Sequence, residues 1–361
     1  LNYNLIEYFP NDTKVVFEST NESIVTIDDK GVIVAHAEGY AAVTVSVYLD
    51  GEMTYYSETV DIEVKDPFKM NGPILQYYYG NGGTVVFPEH LEVREIGQFA
   101  FSNMDWVPKG EGDEISDEEP TLTKQWFIGE NTIKKVILPE GVEKIDAYAF
   151  AGLTALEEVV FPSTLEVIEY GAFYGCTSLK KVTAGWTDNT DESGFRYVQL
   201  INKNAFYDCP LTGKVDLSGA YAISDYAFSV ANSKNAAITE VSLPATLQSI
   251  GAYAFAGQTR LRNVNVHADS VKLGDGVFMN CSSLSSIEIN TAVIPSAAFY
   301  GCTALKSITI GRDVAVIGEE AFGKTAISSF TVAEGEVLTG SPREHRLNEE
   351  KKAAEERARQ P

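Results

Sequence analysis

The dipeptide Ala-Phe recurs through most of this chain at a nearly constant spacing. Its eight copies are Ala100-Phe101, Ala149-Phe150, Ala172-Phe173, Ala205-Phe206, Ala227-Phe228, Ala254-Phe255, Ala298-Phe299 and Ala321-Phe322, and Val277-Phe278 is a near match. The interval from Phe101 to Phe150 spans 49 residues, about twice the others, and Trp126-Phe127 divides it. A repeat period of about 20 to 50 residues is typical of solenoids, so we expect about ten stacked coils.

An apolar residue lies five positions before each of these phenylalanines and supports the same register. These residues are Ile96, Leu122, Ile145, Ile168, Ile201, Ile223, Ile250, Leu273, Ile294 and Ile317. Glycine often follows two positions after the phenylalanine, as at Gly175, where it suits a turn with positive φ. An apolar alternation then follows, as at Leu179, Val182 and Ala184, and predicts a short strand with one buried face.

One repeat cannot bury its own Ile, Phe, Leu and Val side chains, whereas stacked repeats bury them in a continuous core. The sequence therefore predicts a mainly β chain with short irregular or helical turns. We expect a leucine-rich-repeat solenoid with one parallel strand per coil on its concave face. The phenylalanine rings should stack in a column, because the neighbouring alanines leave room for them.

Two segments carry a resemblance to a known family. Residues 243–255 (Leu-Pro-Ala-Thr-Leu-Gln-Ser-Ile-Gly-Ala-Tyr-Ala-Phe) and 172–182 (Ala-Phe-Tyr-Gly-Cys-Thr-Ser-Leu-Lys-Lys-Val) resemble the Treponema pallidum-type leucine-rich repeat of BspA-like bacterial surface proteins. The resemblance covers roughly residues 84–332. It implies a secreted or surface-anchored bacterial protein that adheres to host matrix or plasma proteins such as fibronectin and fibrinogen.

The first 66 residues lack the repeat and show five alternating apolar runs instead. The runs are 14–18, 24–27, 31–34, 41–47 and 60–64, and turn signals such as Asp28-Asp-Lys-Gly31 separate them. They predict a small antiparallel β-sandwich. Residues 19–39 resemble the bacterial immunoglobulin-like domain, group 2, which implies a spacer or adhesive module.

We therefore predict three segments: an immunoglobulin-like sandwich at 1–66, a solenoid at 67–337 and a charged helical or disordered tail at 338–361. Residues 74–86 are expected to cap the open end of the solenoid. The chain begins at Leu1 without a basic segment followed by an apolar run, and we presume that a signal peptide has been removed.

The four cysteines each lie three residues after a repeat phenylalanine. They are Cys176, Cys209, Cys281 and Cys302. Neighbours in adjacent coils lie within reach of a disulfide, but equivalent side chains point the same way. Buried free thiols that pack as small apolar groups are favoured, with the disulfides Cys176–Cys209 and Cys281–Cys302 as the alternative.

Charge and motif content argue against several function classes. The chain has 28 Lys+Arg and 51 Asp+Glu, a net charge of −23, which disfavours binding to nucleic acid or anionic lipid. No run of 18 apolar residues occurs, so we expect no membrane insertion. The four histidines are scattered, no Cys-x-x-Cys or phosphate loop occurs, and we expect no catalytic residue, metal or cofactor.

Two acidic stretches, 111–119 and 188–192, fit solvated loops, with a partner contact or calcium as alternatives. Tyrosines beside the repeat phenylalanines are expected to pack between coils. An adhesive aromatic surface is the alternative for them.

Residues between the apolar strand positions should point to the concave face and form a mixed polar strip. The candidates are Lys135, Glu158, Val160, Lys181, Thr183, Lys214, Asp216, Glu240, Ser242, Asn263, Asn265 and Glu288. Such a strip favours a broad interface with a protein or a glycan over a small-molecule pocket. The predicted function is non-enzymatic recognition and adhesion, and the alternative is an envelope scaffold or glycan-binding module without a host-protein ligand.

Overall fold

The computed structural model is built almost entirely of β-strands. It describes residues 13–35, 38–49, 52–80, 82–102, 132–185, 187, 193–265, 271–289, 291–311, 314–332 and 336–339. A single 3-10 turn at Ser233–Asn235 is the one helical element among these residues. The chain divides into two units between Lys69 and Met70.

The first unit contains only antiparallel pairs. Its strands are β1 (Thr13–Ser19), β2 (Val25–Ile27), β3 (Ile33–Ala35), β4 (Gly39–Leu49) and β5 (Glu52–Val64). They form a β1-β4-β5 sheet and a β2-β3 hairpin, and the five predicted runs overlap them. Val25, Ala41 and Val43 form its core. Assignment of this unit to the immunoglobulin-like class stays a prediction.

The second unit contains two sets of strands, each running through successive coils. The long strands, of three to five residues, are β8 (Gly83–Val86), β10 (Ile133–Ile137), β12 (Glu158–Phe161), β14 (Lys181–Ala184), β16 (Gly213–Asp216), β18 (Ile238–Ser242), β20 (Asn263–Asn265), β22 (Ser286–Ile289), β24 (Ser307–Ile310) and β26 (Ser329–Val332), followed by β27 (Glu336–Thr339). They form a four-stranded and a seven-stranded sheet, parallel except that β27 is antiparallel to β26. We call their outer surface the long-strand face.

The second set lies on another side of each coil. It begins with β6 (Phe68–Asn71), within which the two units divide, and with β7 (Ile74–Tyr78). It continues as the two-residue strands β9 (Glu95–Ile96), β11 (Lys144–Ile145), β13 (Val167–Ile168), β15 (Leu200–Ile201), β17 (Ala222–Ile223), β19 (Ser249–Ile250), β21 (Lys272–Leu273), β23 (Val293–Ile294) and β25 (Val316–Ile317). The first nine strands form one sheet, and β23 and β25 form another. We call this side the short-strand face.

The short-strand sheet stops at β21 for an identifiable reason. In most coils the residue after the isoleucine donates its N–H to the isoleucine carbonyl of the preceding coil, as Gly318 does to Ile294 at 2.7 Å. Pro295 occupies this position in the coil of β23 and has no N–H to donate to Leu273. The sheet therefore ends there and resumes with β23.

The repeat phenylalanines stack in a single column through the core, as predicted. Ring centroids of successive coils lie 4.7 Å apart for Phe101 and Phe150, and 5.7 Å apart for Phe278 and Phe299. In the first eight coils the phenylalanine N–H also donates to a carbonyl of the next coil, as from Phe150 to Ala172 at 2.8 Å. The acceptor is the alanine of the repeat, except that Phe255 donates to Val277. The column and its hydrogen bonds hold the coils in register.

The described residues form nine stacked coils, one fewer than expected. Phe101 stacks directly on Phe150, and β9 pairs directly with β11. Rings at this distance leave no room for a coil between them. Residues 103–131, in which the coil around Leu122 and Phe127 was predicted, lie outside the described residues.

Each coil contains backbone in the left-handed region at fixed positions. The predicted positive φ two residues after the phenylalanine is found at Gly152, Gly175, Gly257 and Gly301. A second position, two residues before the phenylalanine, was not predicted because it often holds an aromatic side chain, as at Tyr148 with φ 56°. Such a conformation costs a non-glycine residue about 1–2 kcal/mol, and the hydrogen bonds to both neighbouring coils hold it in place.

Candidate interaction surface

Strand register aligns the predicted surface residues into two rows across the long-strand face. The first row contains Thr84, Lys135, Glu158 and Lys181, and then Lys214, Glu240 and Asn263. The second row contains Val86, Ile137, Val160 and Thr183, and then Asp216, Ser242, Asn265 and Glu288. Buried valines such as Val136 and Val241 lie between the rows along each strand. Both rows therefore lie on the side of the sheet opposite the core.

Oppositely charged side chains pair along the first row. Lys135 Nζ lies 3.1 Å from Glu158 Oε1, and Lys214 Nζ lies 3.4 Å from Glu240 Oε1. The Thr183 hydroxyl also donates to Glu158 at 3.1 Å. These partly exposed pairs contribute about 0–1 kcal/mol each to folding, so they serve mainly to fix the positions of surface charges.

Two of the candidates whose exposure the structure describes are buried. Val160 is 9% exposed and Thr183 is 8% exposed, so their inclusion in an exposed strip is corrected. The reason is the long coil that follows them. A Cβ atom on Gly185 would lie 3.2 Å from Val160 Cγ1, and Ser193 forms a β-bridge with Thr183.

The same long coil separates the long-strand face into two halves. Thr212 N donates to Lys180 O at 3.0 Å at the base of β14 and β16, but these strands do not pair further along. Ser193 and Gly194 lie between them, with Gly194 N donating to Val182 O at 3.1 Å. We call the long strands β8, β10, β12 and β14 the first half of this face. The long strands from β16 to β27 are the second half.

Phe195 fills the core beneath this break. Its ring makes edge contacts with Phe161, Phe206 and Phe228, with centroids 5.1–5.8 Å apart. It is 2% exposed. This phenylalanine is not part of the repeat column, and the repeat spacing gives no signal for it.

All four cysteines are buried free thiols, as the packing interpretation predicts. Each thiol donates to the carbonyl of the repeat phenylalanine in the preceding coil. The Sγ to O distances are 3.1 Å for Cys176 to Phe150, 3.1 Å for Cys209 to Phe173, 3.2 Å for Cys281 to Phe255 and 3.1 Å for Cys302 to Phe278. Gln258 occupies the same position and donates its amide to Phe228 O at 2.7 Å.

Burial governs the protonation of these thiols. It raises the pKa of Cys209 and Cys281 well above the ordinary value, and it raises the pKa of Cys302 to about 12. Since the thiolate is the nucleophile and the metal ligand, these three cysteines are protonated and inert at neutral pH.

The tyrosines beside the column stack on one another in short runs. Tyr226 stacks on Tyr253 at 5.1 Å, and Tyr174 stacks on Tyr207 at 5.2 Å. Tyr148 is buried between Phe99 and Tyr170. Packing between coils therefore accounts for these rings, as predicted.

Several predicted features lie outside the described residues. They are the acidic stretches at 111–119 and 188–192, His36, His267, His345 and residues 340–361 of the predicted tail, whose first two residues belong to β27. Among the residues that the structure describes, no three His, Cys, Asp or Glu side chains are placed to hold a metal ion. The described residues also include no helix long and apolar enough to cross a membrane.

Solved structures with similarity to this chain include three bacterial leucine-rich-repeat proteins. A T. pallidum leucine rich repeat protein is 23% identical, over 51% of this chain and 72% of its own, with a TM-score of 0.34. A leucine rich cell surface protein from Faecalibacterium prausnitzii A2-165 is 20% identical, over 77% and 94%, with a TM-score of 0.32. A Bacteroides ovatus ATCC 8483 leucine-rich repeat protein is 18% identical, over 72% and 79%, with a TM-score of 0.29.

A comparison with curated proteins finds no match. The family assignment rests instead on the repeat itself. The family model described as the BspA type leucine rich repeat region matches in six copies, over residues 76–184, 120–234 and 223–338. These matches run together over well more than half of the chain and cover the stacked coils described above. The chain therefore belongs to the BspA-type leucine-rich-repeat family.

Proposed function

We propose that this chain is a non-enzymatic recognition protein that binds another macromolecule through its long-strand face. The observation that carries the proposal is the pair of aligned rows, in which polar and charged side chains project from a rigid sheet. The partner is a protein or a glycan. Family resemblance to bacterial surface proteins supports a secreted or surface location and an adhesive role.

The dimensions of the face support a broad interface. Parallel strands lie about 4.8 Å apart, so the rows extend over roughly 30–35 Å from Lys135 to Glu288. Standard protein interfaces involve about 20–30 residues on each side, which a surface of this length accommodates. The residues lie on paired strands, so little backbone entropy is lost when a partner binds.

The state of the cysteines supports a role without catalysis. Burial raises the pKa values of Cys209, Cys281 and Cys302, so these thiols are not activated as nucleophiles. The lysines and glutamates at Lys135–Glu158 and Lys214–Glu240 are paired with each other on an open surface. This arrangement fits recognition better than proton transfer.

The test is a binding screen of the full chain against immobilised matrix and plasma proteins and a glycan array. Saturable binding that weakens at least tenfold in Lys181→Glu or Glu288→Lys supports the proposal. Glu166→Lys is the matched control, since this exposed residue precedes β13 on the short-strand face. Binding that all three variants leave unchanged, or binding only to itself, would overturn it.

A further inference from the structure

Basic side chains line one edge of the long-strand face, where the chain enters the long strands. Lys134, Lys180, Arg262 and Lys306 each directly precede the first-row position of their coil. All four are exposed, as is Lys181 in the first row. We call these five residues the basic edge.

Backbone hydrogen bonds between coils align the basic edge along the stack. Glu157 N donates to Lys134 O at 2.8 Å, and Lys180 N donates to Glu157 O at 3.0 Å. In the second half, Arg262 N donates to the preceding coil in the same way, at 2.9 Å. Parallel strands lie about 4.8 Å apart, so the basic edge extends over roughly 35 Å from Lys134 to Lys306.

Ion pairs do not neutralise the basic edge. Within the first row, Lys135 pairs with Glu158, and Lys214 pairs with Glu240. Among the residues that the structure describes, no carboxylate forms such a pair with any side chain of the basic edge. Its ammonium and guanidinium groups therefore face solvent and are open to an anion from outside the chain.

The second unit separates its charges, although the whole chain is acidic. The first row and the residues that directly precede it hold seven of the fifteen described Lys and Arg residues of this unit. They hold only three of its nineteen described Asp and Glu residues. Carboxylates gather on the other side of the coils, as at Glu143 and Glu166 before β11 and β13. A locally positive strip therefore exists in a chain of net charge −23, and it attracts anions.

We propose that the basic edge binds a linear polysaccharide that carries sulfate or carboxylate groups. The proposal rests on the function proposed above and names the chemistry of its partner. A straight row of separated cations fits a chain with anionic groups at regular intervals, and Lys and Arg form charge-assisted hydrogen bonds with such groups. Polar side chains between the cations, such as Thr239, Asn263 and Ser286, offer hydrogen bonds to sugar hydroxyl groups.

Two observations favour a polysaccharide over a nucleic acid. The positive strip is only two residues wide, and Asp216 and Glu288 follow it in the second row, so a duplex would bring phosphates against negative charge. Proteins that bind single strands stack the bases on aromatic side chains, and the described residues of this strip include none. A single sugar chain avoids both conflicts.

Titration of the full chain with dextran sulfate and with alginate, which carry sulfate and carboxylate groups, tests the proposal. Uncharged dextran is the matched control ligand. We expect saturable binding of at least one anionic polymer that weakens about tenfold or more from low to high salt, and no binding of dextran. Lys180→Glu and Arg262→Glu should each weaken binding about fivefold or more. Lys272→Glu is the control variant, because it makes the same charge change at an exposed lysine on β21, and it should leave binding unchanged.

A gain of affinity provides a second test that misfolding cannot imitate. Glu157→Gln removes the carboxylate between Lys134 and Lys180 and should strengthen binding severalfold. Glu166→Gln, at an exposed glutamate on the short-strand face, should have no effect. Circular dichroism checks that each variant is folded.

Three results would overturn the proposal. They are no binding of either anionic polymer at low salt, equal losses in Lys180→Glu and Lys272→Glu, and tighter binding of a single-stranded oligonucleotide of matched charge. Failure here is distinguishable from failure of the broader function. A protein that the face retains and that Glu288→Lys weakens would support recognition by the long-strand face even if no anionic polymer binds.

Discussion

The two halves of the long-strand face share a scaffold and differ in what they present to solvent. In both halves the inward positions hold valines, such as Val159 and Val241, and the first row holds a Lys–Glu pair. The second row is apolar in the first half, at Val86 and Ile137. In the second half it is polar.

This difference shows which positions the fold constrains. The inward valines are fixed by the core that every coil shares, because stacked repeats bury the same positions. The outward positions vary without disturbing the stack. We infer that a ligand spanning both halves places apolar groups against Val86 and Ile137, and places hydrogen-bonding or cationic groups against Asp216, Ser242 and Glu288.

The largest expected effect comes from the residue that joins the halves. Phe195→Ala removes a buried ring from the core beneath the break and should lower the free energy of unfolding by about 3–5 kcal/mol. Urea denaturation followed by circular dichroism measures it. Tyr221→Ala, at an exposed aromatic residue, is the control and should change the value by less than about 0.5 kcal/mol. Equal losses in both variants would contradict the role assigned to Phe195.

Alanine substitutions at two glycines, one from each half, test how tightly the coils pack. Both have positive φ, but a Cβ on Gly257 would lie 2.3 Å from Val230 O, whereas Gly175 has open space. Gly175→Ala should cost about 1–2 kcal/mol from backbone strain alone. Gly257→Ala should cost about 2–4 kcal/mol, because the clash adds to the strain. Thermal denaturation of both variants measures the difference, and a larger loss in Gly175→Ala would show that the packing is misassigned.

The thiols predict a loss of stability in alkali. Burial raises the pKa of Cys302 from an ordinary 9.0 to about 12. Between these two pH values the folded chain keeps the thiol proton, whereas the unfolded chain releases it. The stability from this thiol is present below pH 9.0 and is lost as the pH rises toward 12. Within this range, the free energy of unfolding falls by about 1.4 kcal/mol per pH unit because of this thiol.

The measurement is the free energy of unfolding at several pH values above 9 for the native chain and for Cys302→Ala. The free energy of unfolding of the variant should fall less steeply as the pH rises. Identical slopes would mean that the Cys302 thiol titrates normally in the folded state.

The smallest expected effect concerns the paired charges of the first row. Lys135→Ala in the first half and Lys214→Ala in the second half should each change the free energy of unfolding by about 0–1 kcal/mol, since both pairs are partly exposed. Chemical denaturation at low and high salt measures this. A loss above about 2 kcal/mol in either variant would give that pair a structural role and count against its role as a surface feature.

The stacked coils could be predicted from the sequence, but the places where the stack is interrupted could not. The column at Phe150 and Phe173 and the strand at Ile145 follow from apolar residues at a fixed spacing, which only stacked coils can bury. The same spacing at Phe127 predicted a further coil between Phe101 and Phe150, but spacing alone does not show which coils lie next to each other. The stacking of Phe101 on Phe150 shows that these two coils are neighbours.

The surface was predicted less completely for a similar reason. The strand alternation placed Val160 and Thr183 outward, and the long coil after β14 then covers them through Gly185 and Ser193. The left-handed backbone at Tyr148 could not be predicted, because tyrosine ordinarily avoids that region. Each of these features depends on contacts between residues that are distant in the sequence, and local sequence patterns do not report such contacts.

The most direct test of the central claim is carboxylate footprinting of the full chain, with and without a macromolecule retained in the binding screen. Carbodiimide labelling and mass spectrometry report the reactivity of each carboxylate. Recognition by the long-strand face predicts that labelling of Glu288 and Asp216 falls at least severalfold on binding while labelling of Glu166 stays constant. Protection of Glu166 with Glu288 and Asp216 unchanged would place the ligand on the other side of the solenoid and contradict the account.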